Sequence, residues 1–340
     1  MREKYKMIKS DKREKILRII KQNREISRVE ISKKMNLAKS NVNGVINQMI
    51  SDGILMESDE PSDYSVQSGR GRPRTMIKLN ENYKFVIGVV AQTDYISAGI
   101  SDLSGHVIES CLFKTEEIGY DFNIVKFITE RICILLRDNF LSKNEILGIA
   151  ITLNPSVIAQ LRYYRFSLHR LEKLFSKNLD TEVICKDSVY AMSFYHQEFM
   201  ADVYSHNQSE NRIFIYISDK VYMVPVINGI PEKASSDRFD KFIFDIQSSE
   251  NISDCIISCM KTNPIKCYEN ILIFLNNLLC IYSLSNAVLY CPEFSSENAD
   301  AIYSLMSEKF RHLEGRIIIS VIEKKKSFLG SCALVVNKKL

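Results

Sequence analysis

Long apolar runs are missing from this sequence. No stretch approaches the roughly 20 uninterrupted apolar residues that a membrane-spanning helix needs, and the charged residues 1–6 lead into no apolar core like that of a signal peptide. We therefore expect a cytoplasmic protein. With 340 residues, 46% of them hydrophobic, the chain can bury the cores of about two domains, which excludes disordered, collagen-like and disulfide-stapled proteins.

Clusters typical of catalytic or metal sites are missing too. No spacing typical of a catalytic triad or a metal site connects the five histidines, so we expect surface or structural roles for them. The nine cysteines are an odd number, and the closest pair, Cys255 and Cys259, has a helical spacing without partners. We therefore expect buried, reduced thiols.

Positive charge is concentrated at one end of the chain. Residues 1–80 hold 18 Lys and Arg against 10 Asp and Glu, a net charge of +8, whereas the remaining 260 residues hold 27 against 31, a net charge of −4. A basic end on a mildly acidic body is typical of a protein whose one end meets a polyanion. Charge alone is equally compatible with a solvated charged surface.

The basic end has the pattern of three short helices. Apolar residues at helical spacing predict one helix over 11–22 and another that follows Ala38 and ends at Asp52-Gly53. Between them, Ser27 and Glu30 match a capping box that would begin a helix running through residue 35. Three such helices, with a tight turn between the last two, predict a helix-turn-helix whose last helix lies in the DNA major groove.

The start of the third helix carries four polar residues, Lys39, Ser40, Asn41 and Asn43. An Asn side chain can bond the N6 and N7 atoms of adenine with the two ends of its amide. Lys39 suits a phosphate contact, which positions the helix without reading sequence. We predict that these four residues contact DNA. The alternative is a small helical bundle with a polar face.

Two strands are predicted after the third helix, at 54–57 and 76–79, and they would form the hairpin of a winged helix. Between them lie Arg70, Arg72 and Arg74, next to Gly and Pro. Arg side chains on such an extended arm can enter a narrow A·T-rich minor groove, so we predict DNA contacts for all three. Most basic Gly-rich stretches are flexible linkers, but a position directly after a helix-turn-helix favours a DNA-binding arm.

From Phe85 onward the pattern changes to strands that alternate with helices. The predicted strands are 85–90, 95–101, 107–113, 146–151, 183–186, 212–218, 221–227, 287–290 and 317–321. The predicted helices are 122–137, 188–201, 252–261, 268–284, 298–309 and 328–336. Three meandering strands followed by strand–helix units, with a second half of similar order, predict a two-lobed α/β domain of the sugar-kinase and actin type.

Residues along nearly the whole chain resemble the ROK family, which groups sugar-responsive transcriptional repressors with sugar kinases. The winged helix followed by Gly-Arg-Gly-Arg-Pro at 69–73 resembles the repressor branch. In the body, 98–105 resembles the family's first nucleotide-lobe hairpin, 146–151 its next strand, and 327–333 its closing helix. The resemblance implies an N-terminal winged helix-turn-helix followed by a two-lobed actin-like, ribonuclease H-like domain of the sugar-kinase type.

The kinases of this family use an Asp-x-Gly-Gly-Thr loop to hold phosphate and magnesium, and this sequence departs from that loop. Val90 stands at the position of the acid, and residues 90–94 contain neither glycine. The segment 217–221, at the position of the second phosphate loop, has no glycine that would let backbone approach a phosphate. We therefore expect no kinase activity and no cofactor.

The body also departs from the family's zinc and sugar sites. The family's zinc-binding run is missing between residues 229 and 270, where three cysteines have no nearby His, so we predict no metal site. Asp187 stands where the kinases keep their general base. Without phosphate loops it could still bind a polar effector in the cleft, such as a sugar or sugar phosphate. The alternative is an ordinary acid that caps the helix beginning near Ser188.

These observations together predict a DNA-binding transcriptional regulator, namely a dimeric repressor of carbohydrate-related genes. Residues 1–80 would bind DNA, and 81–340 would form a degenerate sugar-kinase-like domain for dimerisation and effector sensing. One lobe would cover about 81–187 plus the C-terminal helix, and the other about 188–326. The expected partners are double-stranded DNA and further copies of the chain, in a dimer or a dimer of dimers. The alternatives are a sugar kinase with an extra N-terminal domain and a constitutive DNA-binding scaffold without a ligand.

Overall fold

The computed structural model describes residues 2–58, 75–117, 123–200, 211–232, 243–245, 250–281, 284 and 286–340. The chain divides into two compact units. The first comprises Met1–Phe85, Asp102–Ser104 and Lys338–Leu340, and the second comprises Val86–Ser101 and Gly105–Asn337. Among the helices in the described ranges, none combines the length and the apolar character that crossing a bilayer requires.

The first unit contains three helices and a small antiparallel sheet. Its elements are α1 (Arg2–Asn23), β1 (Glu25–Ser27), α2 (Arg28–Met35), α3 (Lys39–Ser51), β2 (Leu55–Ser58) and β3 (Met76–Leu79). Strand β3 lies between β1 and β2 and pairs antiparallel with both. The three predicted helices and the predicted hairpin are therefore confirmed, with the first hairpin strand shifted by one residue.

Two features of this unit differ from the prediction. Helix α1 begins at Arg2 rather than at residue 11, because the preceding residues are mostly Lys, Arg, Glu and Met, which favour helix without forming an apolar stripe. Strand β1 was not predicted, since three residues are too few to show an alternating pattern. It forms where buried Ile26 pairs with buried Ile77 of β3.

The core of the first unit is aliphatic and continuous. Buried side chains from all three helices and the sheet form one cluster, which includes Ile16, Ile20, Ile31, Val42, Ile46, Met49, Leu55 and Ile77. The start of α2 is fixed by the predicted capping box. The Glu30 backbone N–H donates to Ser27 Oγ at 3.3 Å, and the Ser27 N–H donates to Glu30 Oε2 at 3.0 Å.

The second unit contains two five-stranded sheets, and the first has the strand order β6-β5-β4-β7-β8. Its strands are β4 (Phe85–Ala91), β5 (Tyr95–Ser101), β6 (Val107–Lys114), β7 (Ile146–Leu153) and β8 (Val183–Asp187). The first three form an antiparallel meander, and β7 pairs parallel with β8. The predicted strands of this lobe are confirmed to within two residues at each end.

The helices of this region are α4 (Asn123–Asp138), α5 (Pro155–Tyr163), α6 (Leu168–Leu179) and α7 (Ser188–Phe199). The prediction did not include α5 or α6, although both have sequence signals. Asn154 caps α5 with Pro155 in its first turn, and the buried side chains of α6 recur every four residues, at Leu171, Phe175 and Leu179.

The second sheet has the strand order β11-β10-β9-β14-β15. Strands β9 (Arg212–Ile217), β14 (Asn286–Tyr290) and β15 (Ile317–Ser320) are parallel, while β10 (Val221–Ile227) and β11 (Ile230–Pro231) continue the sheet antiparallel. A separate hairpin is formed by β12 (Ile243–Asp245) and β13 (Glu250–Asn251). Helices α8 (Ile252–Thr262), α9 (Pro264–Ile281) and α10 (Ser296–Lys309) follow in the chain order.

The C-terminal segment packs on the first sheet. Helix α11 (Leu329–Lys339) is almost fully buried up to Val336. Glycines at two strand positions permit this approach. A Cβ atom at Gly88 would lie 2.4 Å from the carbonyl oxygen of Phe328, and one at Gly99 would lie 2.4 Å from the Phe328 ring. The predicted architecture of a winged helix-turn-helix and a two-lobed α/β domain is confirmed.

Candidate nucleic-acid interface

Helix α3 buries one side and exposes the other. Val42, Ile46 and Met49 are buried in the core of the first unit. Three of the residues predicted to contact DNA, Lys39, Ser40 and Asn41, are exposed in the first turn, and the fourth, Asn43, is half-buried beside them. The structure therefore brings the four residues together at the start of the helix.

The N-terminal ends of α2 and α3 differ in their caps. Ser27 caps α2 with its side chain, whereas Ala38 at the corresponding position of α3 makes no side-chain cap. Backbone N–H groups at an uncapped helix start carry partial positive charge, which favours phosphate. Lys39 adds a full positive charge at the same end, so the start of α3 is suited to an anionic partner.

A further polar group, which was not predicted, connects α3 with its neighbours. Arg28, the first residue of α2, donates to Asn47 Oδ1 of α3 at 2.6 Å and to Glu57 Oε1 of β2 at 2.7 Å. Asn47 is exposed. It lies one helical turn after Asn43, and that i, i+4 spacing was the signal that could have identified it.

The side-chain amide of the next residue of α3, Gln48, is bound through its nitrogen instead of its oxygen. Its Nε2 donates to Asp52 Oδ1 at 2.9 Å, and Arg13 of α1 binds the other oxygen of Asp52 at 3.1 Å. Asn47 and Gln48 are both exposed. One amide thus has its oxygen engaged by a cation, and the other has its nitrogen engaged by an anion.

The arginines of the predicted arm, Arg70, Arg72 and Arg74, lie outside the described residues. The strands on either side of them pair antiparallel, with Ser58 opposite Met76. The hairpin that would carry the arm is therefore present, and the DNA contacts of the three arginines stay a prediction.

In the body, the position that resembles the first phosphate loop is filled by protein side chains. Gln92 is buried there, and its Oε1 accepts from Asn154 Nδ2 at 3.1 Å. The same Nδ2 lies 3.0 Å from Asp219 Oδ1, in the segment that resembles the second phosphate loop. Asn154 therefore connects the two segments that would face phosphate in a kinase of this fold.

The Asp219 carboxylate receives further donors. Ser218 Oγ donates to it at 2.8 Å, the Tyr222 hydroxyl lies 3.2 Å from Oδ2, and Ser156 Oγ donates to Oδ2. We call Gln92, Asn154, Ser156, Ser218, Asp219 and Tyr222 the polar cluster. A carboxylate that accepts several hydrogen bonds from neighbouring side chains occupies the donors that a bound phosphate would need.

Tyrosine rings lie next to the polar cluster. Tyr216 and Tyr290 are fully buried, with ring centroids 5.1 Å apart, and Tyr216 also contacts Tyr222. Burial raises the pKa values of Tyr95, Tyr216 and Tyr290 well above their usual range. These hydroxyls are therefore neutral, and the rings act as packing groups rather than as bases.

Asp187 is half-buried and caps α7. The Tyr190 backbone N–H donates to its Oδ1 at 2.7 Å. Burial raises the pKa of this carboxyl, and the backbone N–H of Tyr190 opposes that shift. The capping role that was the structural alternative is thus present, and the effector role stays a prediction.

The cysteines of the second unit are free thiols, but the expected burial holds for four of them only: Cys133 and Cys280 are exposed, and Cys111, Cys255 and Cys259 are half-buried. In the region compared with the family's zinc site, Cys255 and Cys259 lie 3.5 and 3.9 Å from Asn270 Nδ2. Burial raises the pKa of Cys267 to about 12, which holds it as the thiol, whereas zinc binds the thiolate.

Comparison with known proteins supports the assignment of the first unit. Residues 9–56 match a family model described as winged helix-turn-helix DNA-binding. The chain is 31% identical over 93 residues to the xylose repressor of Bacillus spizizenii, covering 27% of this chain and 23% of that protein. It is 31% identical over 93 residues to the xylose repressor of Caldicellulosiruptor bescii, covering 27% and 22%. The matched part is less than a quarter of the length of either relative.

Solved structures support the fold of the whole chain. A ROK family transcriptional regulator, described as a homolog of the E. coli MLC protein, has a TM-score of 0.68 at 13% identity, covering 98% of this chain and 96% of that one. The inorganic polyphosphate/ATP-glucomannokinase of Arthrobacter sp. strain KM has a TM-score of 0.51 at 10% identity, covering 74% and 98%. The N-terminal region is thus a winged helix-turn-helix DNA-binding domain, and the chain as a whole has the fold of a ROK-family transcriptional regulator.

Proposed function

We propose that this chain is a sequence-specific transcriptional regulator that acts as a dimeric repressor of carbohydrate-related genes. The observation that carries the proposal is the start of α3, where Lys39, Ser40 and Asn41 are exposed on a winged helix-turn-helix scaffold at an uncapped helix end. The relatives named xylose repressors support the direction of regulation and the carbohydrate class of genes.

Each predicted DNA contact has a separate task. Asn41 and Asn43 read base edges in the major groove, with Ser40 beside them, because short polar side chains on the first turns of a recognition helix reach base atoms. Lys39 binds a phosphate. Arg70, Arg72 and Arg74 enter the flanking minor groove, where a narrow A·T-rich groove attracts arginine.

A second copy of the chain completes the binding site. A single recognition helix contacts only a few base pairs, so one head gives modest affinity and a short half-site. Joining two heads in a symmetric dimer makes the second contact effectively intramolecular. We therefore expect an inverted repeat whose half-sites are separated by whole helical turns.

The body would sense a sugar or sugar phosphate, and xylose is the first candidate because of the names of the relatives. Asp187 is the residue we assign to the effector, through the carboxylate oxygen that does not cap α7. An effector can induce transcription only if it binds more tightly to the conformation that misplaces the two heads, since equal affinity for both conformations shifts neither population.

The body is proposed to be non-catalytic, and the polar cluster supports this. A kinase needs donors free to receive the transferred phosphate. Here Asn154 Nδ2 is shared between Gln92 and Asp219, and the Asp219 carboxylate adds a negative charge where phosphate would bind. A coupled ATPase assay with a panel of hexoses should show no turnover. Turnover with any of them would favour the kinase alternative.

Selection of DNA from a random pool by the purified full-length protein tests the proposal directly. Read at two salt concentrations, it should enrich an inverted repeat. Salt-sensitive retention of DNA without an enriched sequence would show that the basic region only neutralises phosphates, and the proposed regulator would be wrong.

Thermal-shift screening with sugars and sugar phosphates, including xylose, tests the sensing part. A ligand that binds only the folded protein raises its stability by mass action. A specific rise that Asp187→Asn reduces would support the effector site. No rise with any sugar would favour a constitutive DNA-binding scaffold.

A further inference from the structure

Two neighbouring amides on the exposed side of α3 have their orientations fixed by charged partners. Arg28 donates to Asn47 Oδ1 at 2.6 Å, and Asp52 accepts from Gln48 Nε2 at 2.9 Å. A guanidinium only donates hydrogen bonds and a carboxylate only accepts them, so neither amide can be turned around without losing its partner. Asn47 therefore presents its NH2 group to the surroundings, and Gln48 presents its carbonyl oxygen.

We infer that Asn47 is a specificity-determining residue that reads hydrogen-bond acceptors on base edges, and that Arg28 is the positioning residue that restricts it to this task. The inference rests on the proposed function, because it assigns one base contact within the same interface. An Asn that binds adenine with both ends needs its oxygen to accept from N6. In Asn47 the Arg28 guanidinium holds that oxygen and leaves the NH2 group facing the groove. Asn47 therefore favours guanine, whose N7 and O6 both accept, and thymine, through O4, over adenine, whose N7 stands beside the N6 donor.

The position of Asn47 on the helix fits a groove contact. It is exposed, one turn after Asn43 and two turns after Ser40 on the same side of α3. Between them lies Gly44, which is exposed, and a Cβ atom there would meet no heavy atom within 4 Å. No side chain projects from the helix at this point, so the DNA can approach closely and a short side chain such as Asn47 can reach a base edge.

The second bond of Arg28 has an electrostatic consequence. Its other terminal nitrogen binds Glu57 Oε1 at 2.7 Å, and the Arg28 side chain is 22% exposed against 48% for Glu57. An unpaired carboxylate beside the recognition helix would repel DNA phosphates. Arg28 neutralises that charge while it holds the Asn47 oxygen. Because both its terminal nitrogens are engaged by protein oxygens, we expect Arg28 to act through Asn47 rather than through a phosphate.

The test compares DNA selection by the full-length wild-type protein and by Asn47→Asp. The Asp variant keeps an acceptor for Arg28 and loses the NH2 donor. At one base pair of each half-site the wild type should prefer guanine or thymine, and Asn47→Asp should instead prefer cytosine or adenine, whose N4 and N6 groups donate, with a change in base ratio of about tenfold. The other positions should keep their preferences. Circular dichroism confirms that the variant is folded.

Arg28 is tested by Arg28→Gln and Arg28→Lys. In a Glu57→Gln background, where no carboxylate is left unpaired, Arg28→Gln should broaden the preference at the same base pair and leave the dependence of affinity on salt unchanged, while Arg28→Lys should restore part of the preference. The matched control is Lys78→Gln, which removes the ion pair with Glu25 at 3.6 Å in the same unit without touching α3. It should leave the whole motif unchanged.

The outcomes separate this inference from the proposed function. If the wild type enriches no motif, both are wrong. If it enriches a motif that Asn47→Asp leaves unchanged, the inference alone is wrong. In the Glu57→Gln background, a loss of about one unit in the salt slope for Arg28→Gln, equal on all sequences, would make Arg28 a phosphate contact and overturn its positioning role.

Discussion

The polar side chains of α3 and those of the polar cluster are placed in opposite environments. On α3, Lys39, Ser40 and Asn41 are exposed at the helix start. In the body, Gln92 and Asn154 are buried, and the cluster around them is connected by hydrogen bonds among its own members. Exposed polar groups contribute little to folding and can meet a ligand, whereas buried ones stabilise the fold only when paired.

This difference shows where each kind of substitution should have its effect. Changes on α3 should alter DNA binding and leave stability nearly untouched, and changes among the buried polar residues of the body should do the reverse. At the positions that resemble kinase phosphate loops, Gln92 and Asp219 are joined through Asn154 in one hydrogen-bonded cluster. Five substitutions test this division, and the expected effect decreases from Asn154 to Lys39.

The largest expected effect is on Asn154. Asn154→Ala removes hydrogen bonds to Gln92, Ser218 and Asp219 and leaves a carboxylate with fewer donors in a partly buried place; it also removes the cap of α5. Unpaired buried polar groups are costly, so we expect the free energy of unfolding to fall by about 3 kcal/mol, measured by urea denaturation at pH 7. Asn277→Ala, at an exposed amide of α9, should change it by less than about 0.5 kcal/mol. Similar values for the two variants would contradict a structural role for the cluster.

A buried histidine gives the second prediction. Burial, aided by the charge of Arg212, lowers the pKa of His196 from 6.5 to about 3. Its ring packs between Tyr195 and Phe214. Below pH 6.5 this histidine is protonated in the unfolded chain, but in the folded chain it stays neutral down to about pH 3. Its contribution to the free energy of unfolding is therefore fully present above pH 6.5 and is lost as the pH falls.

The expected loss from this group is about 2 kcal/mol between pH 7 and pH 5. Because all other groups titrate alike in both proteins, His196→Leu should lose about that much less than the wild type over the same interval. Unfolding free energies at the two pH values measure it. Parallel pH profiles of the two proteins would mean that folding does not lower the pKa of His196.

Among the exposed residues of α3, Asn41→Ala should relax the base specificity within the half-site. Loss of a base contact of this type reduces discrimination between bases by about 2 kcal/mol, and substitution of an exposed residue changes stability by less than about 0.5 kcal/mol. Competition binding with operator variants and thermal unfolding give the two values. An equal loss of affinity on every DNA sequence would remove Asn41 from the base-reading residues.

Ser27 shares one property with each of the two groups of residues: it is buried, like the residues of the polar cluster, and it belongs to the DNA-binding unit, like the residues of α3. Its Oγ accepts from the Glu30 N–H and donates to Glu30 Oε2 at 2.6 Å. Ser27→Ala should destabilise the first unit by about 1 kcal/mol, the usual contribution of a helix cap. Far-UV circular dichroism during urea unfolding checks this, with Ser27→Thr as the variant that keeps the cap. Base preference should stay as in the wild type at temperatures where the unit is folded.

Elements that depend on a local sequence pattern could be predicted from the sequence. The apolar spacing of α3, the capping box at Ser27 and the alternation of strands and helices each lie within a few turns, and the structure confirms them. The resemblance to the ROK family added the expectation of a two-lobed body. Helices α5 and α6 were missed although the Asn154-Pro155 start and the repeat of Leu171 and Phe175 were readable.

Long-range contacts were beyond a single sequence. Arg28 meets Asn47 across 19 positions and Glu57 across 29, and Asn154 meets Asp219 across 65. No local spacing connects such residues, because each pair is brought together by the packing of whole elements. The residues proposed to read DNA at the helix start were therefore predictable, and the partners that orient their neighbour Asn47 were not.

The smallest expected effect belongs to Lys39. A phosphate contact neutralises one charge and releases counterions, so Lys39→Ala should reduce the slope of the logarithm of affinity against the logarithm of salt concentration by about one unit. The loss should be the same on operator and on random DNA, because a phosphate carries no sequence information. Titrations at several salt concentrations measure the slope, and Lys39→Arg, which keeps the charge, is the control. A loss confined to the operator would place Lys39 among the base contacts and leave the uncapped start of α3 without the phosphate that its charge favours.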